Sequence, residues 1–191
     1  MNGYMPPSDT AESVTSGHPD KLCDAISDAI LDECLRIDSN ARVAVETMVK
    51  GIGGEAVIIL AGEVSLNGPA PDYERIARDK ATSIGYTDSR IGMDASSSEL
   101  CNVLTYITTQ SQFISQGVDG DLATQGAGDQ GVMFGYACIE TEQTEELRGR
   151  FFPLAAALSQ RLTRRLEQVH SEQIIPWIRP DGKSQVTVHI D

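Results

Sequence analysis

The sequence predicts an α+β fold, and three observations carry that reading. Strand and helix patterns alternate along the 191 residues. Their connections are short and hairpin-like rather than the long crossovers of a doubly wound parallel sheet. A continuous apolar run from Val57 to Ala61 suits a strand covered on at least one face by helices.

The elements follow in chain order. Residues 1–10, "MNGYMPPSDT", are polar and proline-containing and are expected to be disordered. In "HPDKLCDAISDAILDECLRID", Leu22, Ile26, Ala29, Ile30, Cys34 and Ile37 recur every three or four residues, the stripe of an amphipathic helix. Pro19 suits its first turn, where the missing N–H would have had no partner. "ARVAVETMVK" and "EAVIILAGEVS" read as strands joined by the turn "GIGGE". "PDYERIARDKATSIGY" fits a second helix, begun by Pro71-Asp72 and stopped at Gly85.

"SELCNVLTYIT" is a further strand, although its pattern also allows a helix. Gln110 to Gly128 is polar and aperiodic, which suggests a lid, a binding loop or disorder. "GVMFGYACIE" reads as a strand. "FFPLAAALSQRLTRRLEQVH" reads as a helix with Leu154, Leu158, Leu162, Leu166 and Val169 on its apolar side. The last strand, "KSQVTVHI", puts Val186, Val188 and Ile190 on one face and Gln185, Thr187 and His189 on the other. No helix follows to cover it, so the chain is expected to stop within a domain.

Composition narrows the function. A formal net charge of -13 argues against a broad nucleic-acid surface, which needs clustered Lys and Arg. No apolar run approaches a membrane span and the start lacks a signal-peptide pattern, so no membrane partner and a cytoplasmic location are expected. Cys23, Cys34, Cys101 and Cys138 form no C-x-x-C pair and are expected to be reduced and mostly buried. Neither a G-x-x-x-x-G-K-[ST] loop, a G-x-S-x-G elbow nor an H-E-x-x-H helix occurs, and His18, His170 and His189 are too scattered for a histidine metal site.

Four places could carry chemistry. "SVTSGHPDK" sets His18, Asp20 and Lys21 at the opening of the first helix, where free N–H groups and the dipole suit an anion; a plain cap is the alternative. Glu46 and Glu63 interrupt apolar strands and could meet a metal or an ammonium group, or simply face solvent. "PWIRPDGKSQVT" places Asp181 and Lys183 in a turn before a strand, suited to a metal and a phosphate but equally to an ordinary turn. "TQGAGDQGVMFGY" gathers Gly126, Gly128 and Gly131 around Asp129, which would let backbone approach a ligand or turn sharply beside a carboxylate.

Taken together, "ESVTSGHPDKLCDAISDAILD", "LAGEVS", "IGYTDSRIGMDA", "QSQFISQGVD", "QGAGDQGVMFGYA" and "IPWIRPDGKSQVT" resemble the S-adenosylmethionine synthetases, the methionine adenosyltransferases. The similarity runs in order from about Glu12 to the final strand, and G-H-P-D-K and G-A-G-D-Q-G are its most specific parts. The resemblance implies similar two-layer subdomains, each a mixed or antiparallel sheet with helices on one face, around a pseudo-threefold axis. It divides this chain into an N-terminal subdomain at 11–109, a mobile active-site loop at 110–128 and a truncated central subdomain at 129–191.

The resemblance also implies adenosyl transfer from ATP to the sulfur of L-methionine, with the triphosphate then hydrolysed to pyrophosphate and phosphate. Cofactors would be Mg2+, two per site, and K+. Sites would be shared across a homodimer, commonly paired into a homotetramer. His18 would be the catalytic group at the triphosphate, Asp20 a magnesium ligand and Glu46 a potassium ligand. Glu63, Gln110 and Asp129 would bind methionine, and Asp181 and Lys183 the nucleotide. The chain departs from the family at Gln112, Phe113 and Gly120, within the loop. It also lacks the later glycine-rich and basic segments, so the 191 residues alone are expected to have little activity. Two alternatives are a non-catalytic regulatory or dimerising partner and a metal-dependent tripolyphosphate hydrolase using Asp20, Asp129 and Asp181.

Overall fold

A computed structural model of the chain describes residues 8–109 and 131–189. The architecture is α+β, and the chain divides into two compact units: Leu22–Phe134, and Met1–Lys21 together with Gly135–Asp191.

The first unit is built on a three-stranded mixed sheet of β2 (Arg42–Ile52), β3 (Glu55–Ser65) and β6 (Cys101–Thr108), with β3 in the middle. β2 and β3 are antiparallel, with Ile52 opposite Glu55, so only Gly53 and Gly54 form the turn. Their φ angles of 63° and 94° are those of a two-residue hairpin that twists with its strands, which is why the sequence puts glycine at both places. β6 runs parallel to β3, with Ala56 opposite Cys101. A parallel partner needs a crossover, and α2 (Tyr73–Ile84) lies in it. The side chain of Asp72 caps α2 by accepting from the Arg75 N–H, and Gly85 ends it at φ 118°. The short strands β4 (Thr87–Asp88) and β5 (Met93–Asp94) pair beyond it.

Helix α1 (Pro19–Ile37) buries the stripe read from its sequence: Leu22, Ile26, Ile30 and Cys34. These join Val45, Ile58, Leu60, Val64, Ala77, Ala81 and Cys101 in one core. Each large side chain removed from water there is worth about 1.5–3 kcal/mol. Period-two alternation puts Val45, Ile58 and Leu60 on the helix side of the sheet. The opposite side stays open, with Met48 56% and Tyr106 63% exposed. Arg78 of α2 reaches the carbonyls of Ala95 and Cys101, tying the crossover to the start of β6.

The second unit holds β1 (Ser8–Val14) and β7 (Lys183–His189), paired antiparallel with Thr10 opposite Thr187, and α3 (Leu154–Ser171) packed against both. β1 takes in Ser8, Asp9 and Thr10, the end of the stretch expected to be disordered; the β7 ladder orders a segment too polar to announce itself. That pairing also groups Ser8–Lys21 with the C-terminal part of the chain rather than with the residues that follow them.

Three expectations are corrected here. The last strand does have a helix over it, α3, supplied from earlier in the chain. The most buried residues of α3 are Ala155, Ser159 and Thr163; on the leucine side Leu154, Leu166 and Val169 are half-buried, while Leu158 and Leu162 remain 40% and 55% exposed. A two-stranded ribbon offers little apolar area, and small side chains let the helix come close enough for Ser13 to reach Thr163 at 2.9 Å and for Ser184 to reach the Ser159 carbonyl at 2.8 Å. Finally, "GVMFGYACIE" forms no strand from Gly131 onward, and Met133 and Phe134 are 96% and 95% exposed. A strand needs a ladder partner, and the described residues supply none. Among the described residues, no helix is long and apolar enough to cross a membrane.

Candidate functional site

The turn between β1 and α1 is held by a set of hydrogen bonds within its unit. Thr15, fully buried, donates its N–H to the Gly182 carbonyl at 2.8 Å and its hydroxyl to the Pro180 carbonyl at 2.6 Å. The His18 N–H returns to the Thr15 carbonyl at 3.0 Å, closing the turn. Gly17, also buried, rests against Pro180. Ser16 gives both its N–H and its hydroxyl to Glu167 Oε1 of α3, at 2.5 and 2.7 Å.

These contacts bring together two segments that the sequence offered separately. His18 and Asp20 stand at the start of α1, and Asp181 and Lys183 stand on the turn against which Thr15 and Gly17 pack. The His18 side chain is 24% exposed and its Nδ1 lies 3.3 Å from the Asp20 N–H and 3.7 Å from Asp20 Oδ2. Asp20 is 87% exposed, so its carboxylate is open to an incoming cation. Lys183 Nζ sits 2.6 Å from Glu12 Oε2 across the β1–β7 ladder, with both groups about half exposed at 51% and 50%. The arrangement presents an imidazole, an ammonium and two carboxylates beside a helix N-terminus, which suits a polyphosphate with bound cations.

Glu46 and Glu63 belong to the other unit. Glu46 is opposite Ala61 and Glu63 opposite Ala44, so the two carboxylates share the open face of the sheet as diagonal neighbours. Glu46 is exposed and Glu63 half-buried. As far as this chain covers the sheet, Glu46 is open to solvent and Glu63 is partly covered. Gln110, Gly126, Gly128 and Asp129 lie outside the described residues, as does the segment expected to form the loop.

Among the described residues, no group of three or more His, Cys, Asp and Glu side chains forms a ready metal cage. Single open carboxylates such as Asp20 still suit magnesium, which keeps its waters and takes one or two carboxylates together with substrate phosphate oxygens. Sequence reasoning missed Thr15, Ser16, Pro180 and Glu167. Thr15 and Ser16 stood inside the quoted motif without a role, and Glu167 looked like one more charge on a helix surface. Nothing local distinguishes it, because its partner lies 151 residues away.

Known proteins resemble the chain over most of its length. Residues 8–112 match the family model described as S-adenosylmethionine synthetase, N-terminal domain, and residues 124–191 match the one described as its central domain. The chain is 46% identical over 188 residues to the S-adenosylmethionine synthase of Brachyspira hyodysenteriae, covering 94% of this chain and 44% of that protein. It is 47% identical over 193 residues to the protein of the same name from Nocardia farcinica, covering 95% of this chain and 44% of that one. The chain thus spans less than half the length of these curated relatives.

Proposed function

The chain belongs to the S-adenosylmethionine synthetase family, and from that premise we propose that the whole protein transfers the adenosyl group of ATP to the sulfur of L-methionine and then splits the released triphosphate into pyrophosphate and phosphate. The observation that carries this reading is the clasp between Thr15-Ser16-Gly17 and Pro180-Asp181-Gly182, which gathers His18, Asp20, Asp181 and Lys183 in one unit.

The chemistry fits residues of this kind. A neutral thioether attacks the primary carbon of the ribose, a sulfur–carbon bond forms, and the carbon–oxygen bond breaks with its electron pair leaving on the triphosphate. No general base is needed, so catalysis rests on alignment and on stabilising the departing charge. In this reading His18 is the catalytic group, donating a hydrogen bond to the leaving oxygens. Lys183 adds charge at the nucleotide, and Asp181 accepts from it. Asp20 would ligate magnesium and Glu46 potassium; bound cations supply charge neutralisation to the polyphosphate. Glu63, Gln110 and Asp129 would receive the methionine, with residues 110–128 acting as the closing loop. Glu46 and Glu63 on the open sheet face suit a site completed by a second copy in a homodimer, itself paired into a tetramer. The reaction is assigned to the cytoplasm, where four free cysteines meet a reducing environment.

The test is direct. The full-length protein, given ATP, methionine, magnesium and potassium, should form the sulfonium product together with pyrophosphate and phosphate. The 191 residues alone should form little or none. No product from the full-length protein would overturn the reading, and turnover by the 191-residue chain at the full rate would overturn its division of labour.

A further inference from the structure

We infer that Glu167, on α3, is a positioning residue for the phosphate end of this site, holding through Ser16 the turn that presents His18 and Asp20. The inference rests on the proposed adenosyl transfer and adds to it a residue outside every motif that pointed there.

The geometry is specific. Glu167 Oε1 takes both donors of Ser16, the backbone N–H and the hydroxyl. Ser16 is two residues before His18 and three before the first residue of α1, so its backbone position sets where the helix begins. Thr15 is held to the carbonyls of Pro180 and Gly182 on the β1 side of the turn, and the His18 N–H returns to the Thr15 carbonyl. Glu167 adds a side-chain hold from α3 at Ser16, between Thr15 and the start of the helix. All partners are at least half-buried, so the contact is shielded from full competition by water.

There is a second consequence. An unpaired N–H just before a helix is an anion donor. Here the Ser16 N–H is already taken by the Glu167 carboxylate, so it is not a donor to the phosphate end. A hydrogen bond to an ionised acceptor is stronger than a neutral one, which makes the hold worth removing experimentally.

The experiment uses the full-length protein with Glu167→Ala and Glu167→Gln. Glu167→Ala should raise the KM for ATP by about tenfold or more, or lower kcat by a similar factor, since hydrogen bonds to a charged acceptor are among the stronger ones. The KM for methionine should stay within about twofold, since none of the residues assigned to methionine, Glu63, Gln110 and Asp129, belongs to this turn. Glu167→Gln keeps an acceptor oxygen and should recover most of the loss. Backbone amide exchange at Ser16, read by mass spectrometry of the peptide around it, should quicken in Glu167→Ala and stay slow in Glu167→Gln. Unchanged exchange at Ser16 in Glu167→Ala would overturn the hold. Equal losses for ATP and methionine with a lowered unfolding temperature would overturn the positioning role in favour of a structural one. Absence of product from the wild type would sink the proposed reaction instead, while the exchange result would still decide whether Glu167 holds Ser16.

Discussion

Gly17 and Pro180 touch so closely that a Cβ added to Gly17 would fall 2.3 Å from the Pro180 carbonyl carbon and 2.4 Å from its Cβ. No side chain fits there, and Pro180 and Gly182 are held by hydrogen bonds from Thr15. Gly17→Ala should therefore cost about 1–3 kcal/mol, as overpacking does, and push the His18 turn away from the Asp181 turn. Denaturant unfolding would read the first effect and the KM for ATP the second. An unchanged KM would show that the two turns need not stay together.

Lys183 and Glu12 form an ion pair at 2.6 Å that is half open to water. Such pairs are worth about 0–1 kcal/mol, so Lys183→Ala should barely move the unfolding midpoint. If Lys183 serves the nucleotide, the same variant should raise the KM for ATP markedly, and Glu12→Gln, which frees the ammonium, should not. Equal effects from both variants would assign Lys183 to the ladder alone.

Glu46 projects from the open face of β2, where an exchange for glutamine leaves the core untouched. Surface changes of this kind usually stay within about 0.5 kcal/mol. Glu46→Gln in the full-length protein should keep its stability and need more potassium for half-maximal rate. Potassium dependence identical to the wild type would remove Glu46 from the cation site.

Asp38 accepts from the backbone N–H of Asn67 and from that of Asn40, at 2.8 and 2.9 Å, clasping the end of α1 to the end of β3. The Asn67 N–H first, then that of Asn40, holds its carboxyl below the usual aspartate range. Because the folded value is the lower one, the stabilisation is complete above the ordinary aspartate range and is lost as pH falls below it. Asp38→Asn should lower stability at neutral pH and flatten the acid limb of the stability–pH curve. A parallel acid limb in wild type and variant would exclude the clasp as its source.

Cys34 and Cys101 are fully buried, and burial pushes both thiols up from their ordinary range. The thiolate is the reactive species, so an alkylating reagent at neutral pH should modify Cys138 well before either of them. Peptide mass spectrometry over time would follow it, with Cys34 and Cys101 reacting only when denaturant opens the core. Early labelling of Cys34 would contradict the packing of α1.

Local rules reached the outlines of the fold and the residue types gathered at the candidate site. The α1 stripe, the caps of α2 at Asp72 and Gly85, and the Gly53-Gly54 hairpin each depend on neighbours within a few residues, so the chain itself shows them. Glu46 and Glu63 were visible as carboxylates in apolar strands, and G-H-P-D-K as an anion-ready helix start. Other features depend on what lies across from them. β1 is a strand because β7 pairs with it, and "GVMFGYACIE" is not one because it meets no partner among the described residues.

The sequence by itself determined the residue types available for chemistry, the periods of the helices and strands, and the family to which they belong. Tertiary structure alone decided that α3 would bury Ala155, Ser159 and Thr163 most deeply, that Ser8–Lys21 would join the C-terminal part of the chain, and that Glu167 would hold Ser16. Periodicity states which faces an element can offer. Which face is buried, and which carboxylate finds two donors, depends on contacts between residues far apart in the chain, and no local pattern records those.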